Sequence, residues 1–269
     1  MGSVPVLIVE NQKMAKFLTS FLFLTSALFG NVVEEGIRHV SLHDRACMKA
    51  FFQHAIQHDQ AAHVLYCDNK PACLIATVIK HKNKPFNEVL CLKGWRAFKK
   101  HEHLFPHPQF MFSENIVEFD DAFKVLHVYI IKKESLEKCL EAHSDLFQTT
   151  LGPQFSTEQF IARLEQGEAL HSLLQGNEML LGVVLGFGRE SSHAYISPKD
   201  NPQYGSVILK QPRGCSLEPV VFMGNSDSFE VQQLTTEYEK ELEQIWHRYR
   251  NSKNHLKMIL ERLCSEEQP

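Results

Sequence analysis

HVLYCDNKPACLIATVIK, residues 63–80, is the stretch on which the fold turns. Its two flanks, 63–67 and 73–80, are short and apolar, with Val and Ile recurring in the second. Asp68-Asn69-Lys70-Pro71 lies between them. Asp and Asn bond their own backbone and proline fixes φ, so these four residues carry strong turn chemistry. Two apolar runs around such a turn predict a β-hairpin. Working toward the N-terminus, Ser41 and Asp44 open a helix running to about Ala62, with Met48, Phe52, Ala55 and Ile56 on one face. Working toward the C-terminus, 88–92 is a possible further strand and Gly94–His103 a short helix carrying Trp95 and Phe98. Residues 110–119 and 125–132 read as strands, and 134–147 as a helix ended near Gly152-Pro153.

Ser156 and Gln159 form a capping-box pattern before a helix with Phe160, Ile161, Leu164 and Leu173 as apolar positions, weakened at Gly167. Residues 197–219, rich in Pro and Gly, predict a long loop containing one strand, 206–210, with another strand at 220–223. Asp227 and Glu230 form a second capping-box pattern. From there one helix is expected to run to Leu263. Tyr238, Leu242, Ile245, Tyr249, Leu256, Ile259 and Leu263 alternate by fours and threes, which is heptad spacing. Such a helix would be about 50 Å long. It suits packing along the domain or a partner-binding role.

The chain of 269 residues has 43% apolar and 22% charged residues, ample for a buried core. A net charge of −4 leaves no basic field to neutralise phosphates, so no nucleic-acid partner is expected. Lys93, Arg96, Lys99 and Lys100 form a small basic face that reads as a solvated helix surface. The seven cysteines include no CxxC pair, which excludes a zinc ribbon and does not indicate a disulfide scaffold. They read as reduced thiols that act as small core hydrophobes. Phe17–Phe29, FLTSFLFLTSALF, is uncharged and follows Met14-Ala15-Lys16. That pattern resembles a signal peptide or anchor. A buried apolar element in a cytoplasmic chain is the alternative.

Catalytic signatures are missing. Gly182-x-x-x-Gly186-x-Gly188 lacks the lysine and hydroxyl of a phosphate loop and the order of a dinucleotide fingerprint. Helix packing at Gly182 and Gly186, and a C-cap at Gly188, account for it. Arg189 just beyond is the best anion-binding candidate. His54 and His58, with Cys47 near the same face, could offer metal ligands. So could His101, Glu102, His103 and His107. With fifteen histidines in the chain, such clusters arise by chance, so no metal and no cofactor are expected. There is no GxSxG and no acid/base pair of carboxylates on one face.

Four strings, MKAFFQHAIQHDQAAHVLYCDNKP (48–71), LKGWRAFKKHEHLFPHPQF (92–110), LGPQFSTEQFIARLE (151–165) and LLGVVLGFGRES (180–191), resemble an uncharacterised protein family of chlamydiae and related intracellular bacteria. The family forms are GDKP, GW…HLFP and LLGxLLGYGR, in this order. The resemblance covers about residues 32–195. Cys67 stands where the family has glycine, and Phe187 where it has tyrosine. The resemblance implies lineage and often an apolar N-terminal segment, but no chemistry. It gives Lys70, Trp95, His103 and Arg189 weight as ligand-binding candidates.

The combined expectation is an α+β protein, mainly antiparallel sheet packed against helices. Residues 1–30 form a possible signal or anchor segment, 31–225 the α+β domain and 226–269 a long C-terminal helix packed on it. The expected function is non-enzymatic binding of a protein partner at a bacterial envelope or host interface, through the C-terminal helix or a sheet edge. Membrane association would run through residues 14–30. A metal-dependent hydrolase using a histidine cluster is the alternative.

Overall fold

A three-stranded antiparallel sheet, in the order β1-β3-β2, stands between two helical layers. The computed structural model describes residues 32–81, 90–120, 123–196, 204–252 and 254–265. The expected apolar segment at 14–30 lies outside them. Strand β1 spans Ala72–His81, β2 Phe110–Asp120 and β3 Phe123–Lys132. Central β3 is buried on both faces and so lacks the polar alternation of a half-exposed strand. Leu126, Val128 and Ile130 enter one core, while Tyr129 and Ile131 enter the other.

The first core gathers α1 (32–39), α2 (Leu42–His58), α3 (Ala61–Tyr66) and α4 (Leu90–His101). Its aromatic centre is Phe51, Phe52, Trp95 and Phe98. Helices α2 and α4 touch at Gly94, where a Cβ would lie 2.3 Å from the Cys47 carbonyl oxygen, so only glycine permits that approach. The second core holds α5 (Lys133–Ala142), α6 (Ser144–Leu151), α7 (Thr157–Glu165), α8 (Leu170–Leu173) and α9 (Glu178–Val184). Helix α10 (Arg189–Ile196) leads to a two-stranded hairpin, β4 (Gly205–Ile208) and β5 (Val221–Gly224). The long α11 (Phe229–Asn251) buries Val231 and Tyr238 on the hairpin, then Leu242, Ile245 and Tyr249 in the first core. Helix α12 (His255–Cys264) completes that core. The fold is α+β with a long C-terminal helix.

Several local expectations are corrected. Residues 63–67 are not the first arm of a hairpin: 63–66 lie in α3, and β1 pairs with β3 instead. All six residues of α3 are buried, and a short run that is apolar on every side has no period to separate helix from strand. Asp68–Pro71 is therefore a helix-to-strand connection. Leu90–Leu92 open α4 rather than forming a strand. The expected helix over 134–147 is two, broken at His143, and the one after Ser156 stops at Glu165, before Gly167 in the left-handed region at φ 89°.

The heptad stretch is also two helices. Ser252 is extended, and the Asn254 side chain caps α12 by accepting from the Lys257 amide at 3.2 Å. The heptad pattern survives the break because both helices bury their apolar stripes in one core. The expected capping box of Asp227 and Glu230 does not form. Ser228 caps α11, while Glu230 reaches across to α10, accepting from the amides of Arg189 at 2.8 Å and Glu190 at 2.7 Å. A carboxylate on two orphan amides at a helix start is worth about 1 kcal/mol. Glu230→Gln is accordingly expected to lower the melting temperature by about 2–4 °C. An unshifted melt would show that α10 is held by its packing alone.

Candidate functional site

A cavity of about 370 Å³ opens between α9, α10 and the β4–β5 hairpin. The local sequence builds it. Asn177 caps α9, its side chain accepting from the Leu180 amide at 3.0 Å. Gly182 faces Ser192, and a Cβ there would come within 2.6 Å of the serine Oγ, so α9 and α10 pack closely at that point. Gly186 and Gly188, at φ 80° and 78°, reverse the chain between the two helices. The expected helix packing holds at Gly182, whereas Gly186 lies in the turn after α9, and Gly188 precedes a helix start rather than capping a helix end.

Leu74 of β1, Leu181, Leu185, Phe187 and Phe222 make the cavity apolar. Polar groups enter it sparingly: Glu178, Tyr195, Ser206 and the serines of α10. Ser192 donates to the Gly188 carbonyl at 2.5 Å. Ser191 is 2% exposed, and its hydroxyl has no hydrogen-bond partner among the described residues. A buried orphan hydroxyl costs roughly 1–3 kcal/mol. An apolar space of this size with few polar groups is the usual form of a small-molecule site.

The four residues singled out by sequence go to separate environments. Trp95 is in the first core, packed on Phe51, Phe98 and Phe112. His103 lines a shallow surface depression with His39 and Glu35. Arg189 pairs with Asp145 at 2.7 Å on the surface. Lys70 is 1% exposed and points inward, donating to the Leu185 carbonyl at 2.5 Å and lying over the rings of Phe187 and Tyr238. Arg189 directly follows the glycine turn but sends its side chain to Asp145, whereas the Lys70 side chain packs onto the turn from inside. Neither expected histidine cluster converges: His54 faces Asp59, His58 bonds Glu218, Cys47 meets His43, His101 bonds Asp44 and His107 bonds Glu102.

Behind the turn lies a buried polar network. Tyr238 donates to the Gly186 carbonyl at 2.6 Å, and a Cβ on Gly186 would crowd that hydroxyl. His63 Nδ1 bonds Glu241 at 2.8 Å, and its ring packs edge-on against Tyr238. Burial pushes the His63 pKa down, partly offset by Glu241, so the ring is held neutral. Burial also lowers Lys70 to about 8. It raises the Cys67 thiol far above its ordinary value, with the Glu241 carboxylate adding to the effect.

Sequence reading missed Ser191, Glu178, His63 and Glu241. Glu178 carries no motif, and Ser191, the last residue of the 180–191 string, falls beyond its family form. His63 was hidden by the strand reading of 63–67, whereas the helical reading puts His63 and Cys67 four apart, on one face. Comparison with protein-family models, with curated proteins and with solved structures found no match to this chain.

Proposed function

We propose that the protein is a non-enzymatic binding protein that holds a small amphiphile in the cavity between α10 and the β4–β5 hairpin. The largely apolar cavity, with the unpartnered Ser191 hydroxyl in its wall and few other polar groups, supports this reading. A ligand with an apolar body and one neutral hydrogen-bonding group satisfies that hydroxyl and fills the space. The Glu178 carboxylate in the lining disfavours an anionic head. Calorimetric titration with decanol and with decanoate tests it. Decanol is expected to bind saturably, decanoate at least 10-fold more weakly. Ser206→Trp, at an exposed strand position that lines the cavity, is expected to abolish binding with little change in stability. Equal, unsaturable uptake of both probes, unaffected by Ser206→Trp, would remove the reading.

Placement at a bacterial envelope is part of the same proposal. It is supported by the uncharged run Phe17–Phe29 behind Lys16 and by the resemblance to the chlamydial family. No helix among the described residues is long and apolar enough to cross a membrane. The mature N-terminus, read by mass and sequencing, is expected near Asn31, or intact in a membrane fraction. An intact chain found wholly in the soluble fraction would overturn the envelope placement.

A further inference from the structure

We propose that His63, Cys67 and Glu241 form a binding site for one zinc-class divalent ion. Their ligand atoms all lie within 4.8 Å of one another, and all three residues are buried. Tetrahedral ligation at 2.0–2.3 Å needs ligand atoms roughly 3.3–3.8 Å apart, so the group is about an ångström from closing on an ion. The chemistry of the donors is selective. Thiolate, imidazole and carboxylate together suit zinc and its neighbours, and do not suit calcium or magnesium.

The second observation is the histidine itself. His63 is 2% exposed, with Nδ1 on Glu241 and Nε2 without a partner among the described residues. An ion placed between Nδ1 and the carboxylate replaces the proton that joins them, and the ring's own proton then sits on Nε2. An ion at Nδ1 takes the carboxylate as a direct ligand.

The frame is braced for the task. Cys67 follows His63 by four residues, and its amide bonds the His63 carbonyl at 3.0 Å, closing α3. The Cys67 carbonyl accepts from buried Lys132 at 3.0 Å. Glu241 arrives from α11. A cleft of about 290 Å³, lined by Cys67, Asp68, Gln244 and Arg248 among others, reaches Cys67 and Glu241 from solvent. It supplies the ion's route and a water as fourth ligand.

Charge balances on binding. The thiol gives its proton to solvent, the carboxylate binds as the anion, and the ring stays neutral with one proton. Two anionic ligands then neutralise a divalent ion in a buried space, against the opposing charge of Lys70, which acts on His63.

The site is independent of the cavity and is tested separately, on the reduced, chelator-treated full chain. Calorimetry is expected to find one equivalent of zinc, and cobalt is expected to give tetrahedral visible bands with a near-ultraviolet thiolate-to-metal band. Cys67→Ser, a near-isosteric change, should remove the thiolate band and weaken zinc more than 100-fold. Glu241→Gln should weaken it by roughly 10–100-fold. Cys139→Ser, in the other core, should change neither. Circular dichroism establishes that each variant is folded. A cobalt spectrum without a thiolate band, or one indifferent to Cys67→Ser in a folded variant, would overturn the proposal.

Discussion

Trp95→Ala is expected to lower stability by about 3–5 kcal/mol, a large share of the 5–15 kcal/mol that holds a typical domain together. Trp95 is 1% exposed. Its ring lies 5.3 Å from Phe51, 5.6 Å from Phe98 and 5.5 Å from Phe112 between centroids. Removing it takes the centre out of the α2–α4 contact, where Gly94 already brings the two backbones together. The surroundings are helices and a sheet strand, which cannot collapse to fill the hole. The melting temperature should fall by roughly 6–20 °C, measured by calorimetry and by urea unfolding. Trp95→Phe should cost much less. The indole nitrogen has no partner among the described residues, so phenylalanine forfeits no hydrogen bond. A loss of only a degree or two in the alanine variant would mean the indole is not core and would reopen a ligand role for it.

Lys70→Met is expected to remove a component of stability that rises with pH. Burial holds the folded amine near 8, against 10.5 unfolded, while Cys73 and Glu241 act to raise it. Below about pH 8 both states carry the proton, and the folded chain bears the cost of a buried charge. Between about 8 and 10.5 the folded amine is neutral and the unfolded one is still charged. The unfolded state then binds more protons, so the Lys70 contribution becomes more favourable as pH rises. The full change is on the order of 3 kcal/mol. Cys67, Cys73 and Tyr238 have raised values and act with the opposite sign over the same range. The comparison that isolates Lys70 is therefore wild type minus Lys70→Met, by urea unfolding of chelator-treated protein from pH 7.5 to 10.5. A difference that stays flat across that window would mean the amine keeps its proton when folded.

The strands β2 and β3, the starts of α2 and α7 at their serine caps, and the two separate strands near 206 and 220 were legible, β3 as a continuous β-branched and aromatic run and the helices by spacing and cap. The run 63–67 was not. When every side chain of a short element is buried, hydrophobicity is uniform and the period vanishes. That one ambiguity concealed the pairing of β1 with β3, the inward turn of Lys70 and the approach of His63 to Cys67. The break at 252–254 was masked for the opposite reason: the heptad rhythm is preserved across it by a shared core. The site lay further from view. Ser191 falls just beyond the LLGxLLGYGR form, and His63 and Glu241 are 178 residues apart. Only tertiary packing makes them neighbours.

That separation bears on how the chain is made. The first core is open until α11 and α12 dock, yet most of its aromatic wall is synthesised before residue 112. At 5–20 residues per second, Glu241 follows His63 out of the ribosome by roughly 10–40 s. During that interval Phe51, Phe52 and Trp95 lack their final cover. The growing polypeptide therefore presents an adhesive apolar surface for tens of seconds before α11 and α12 arrive to cover it.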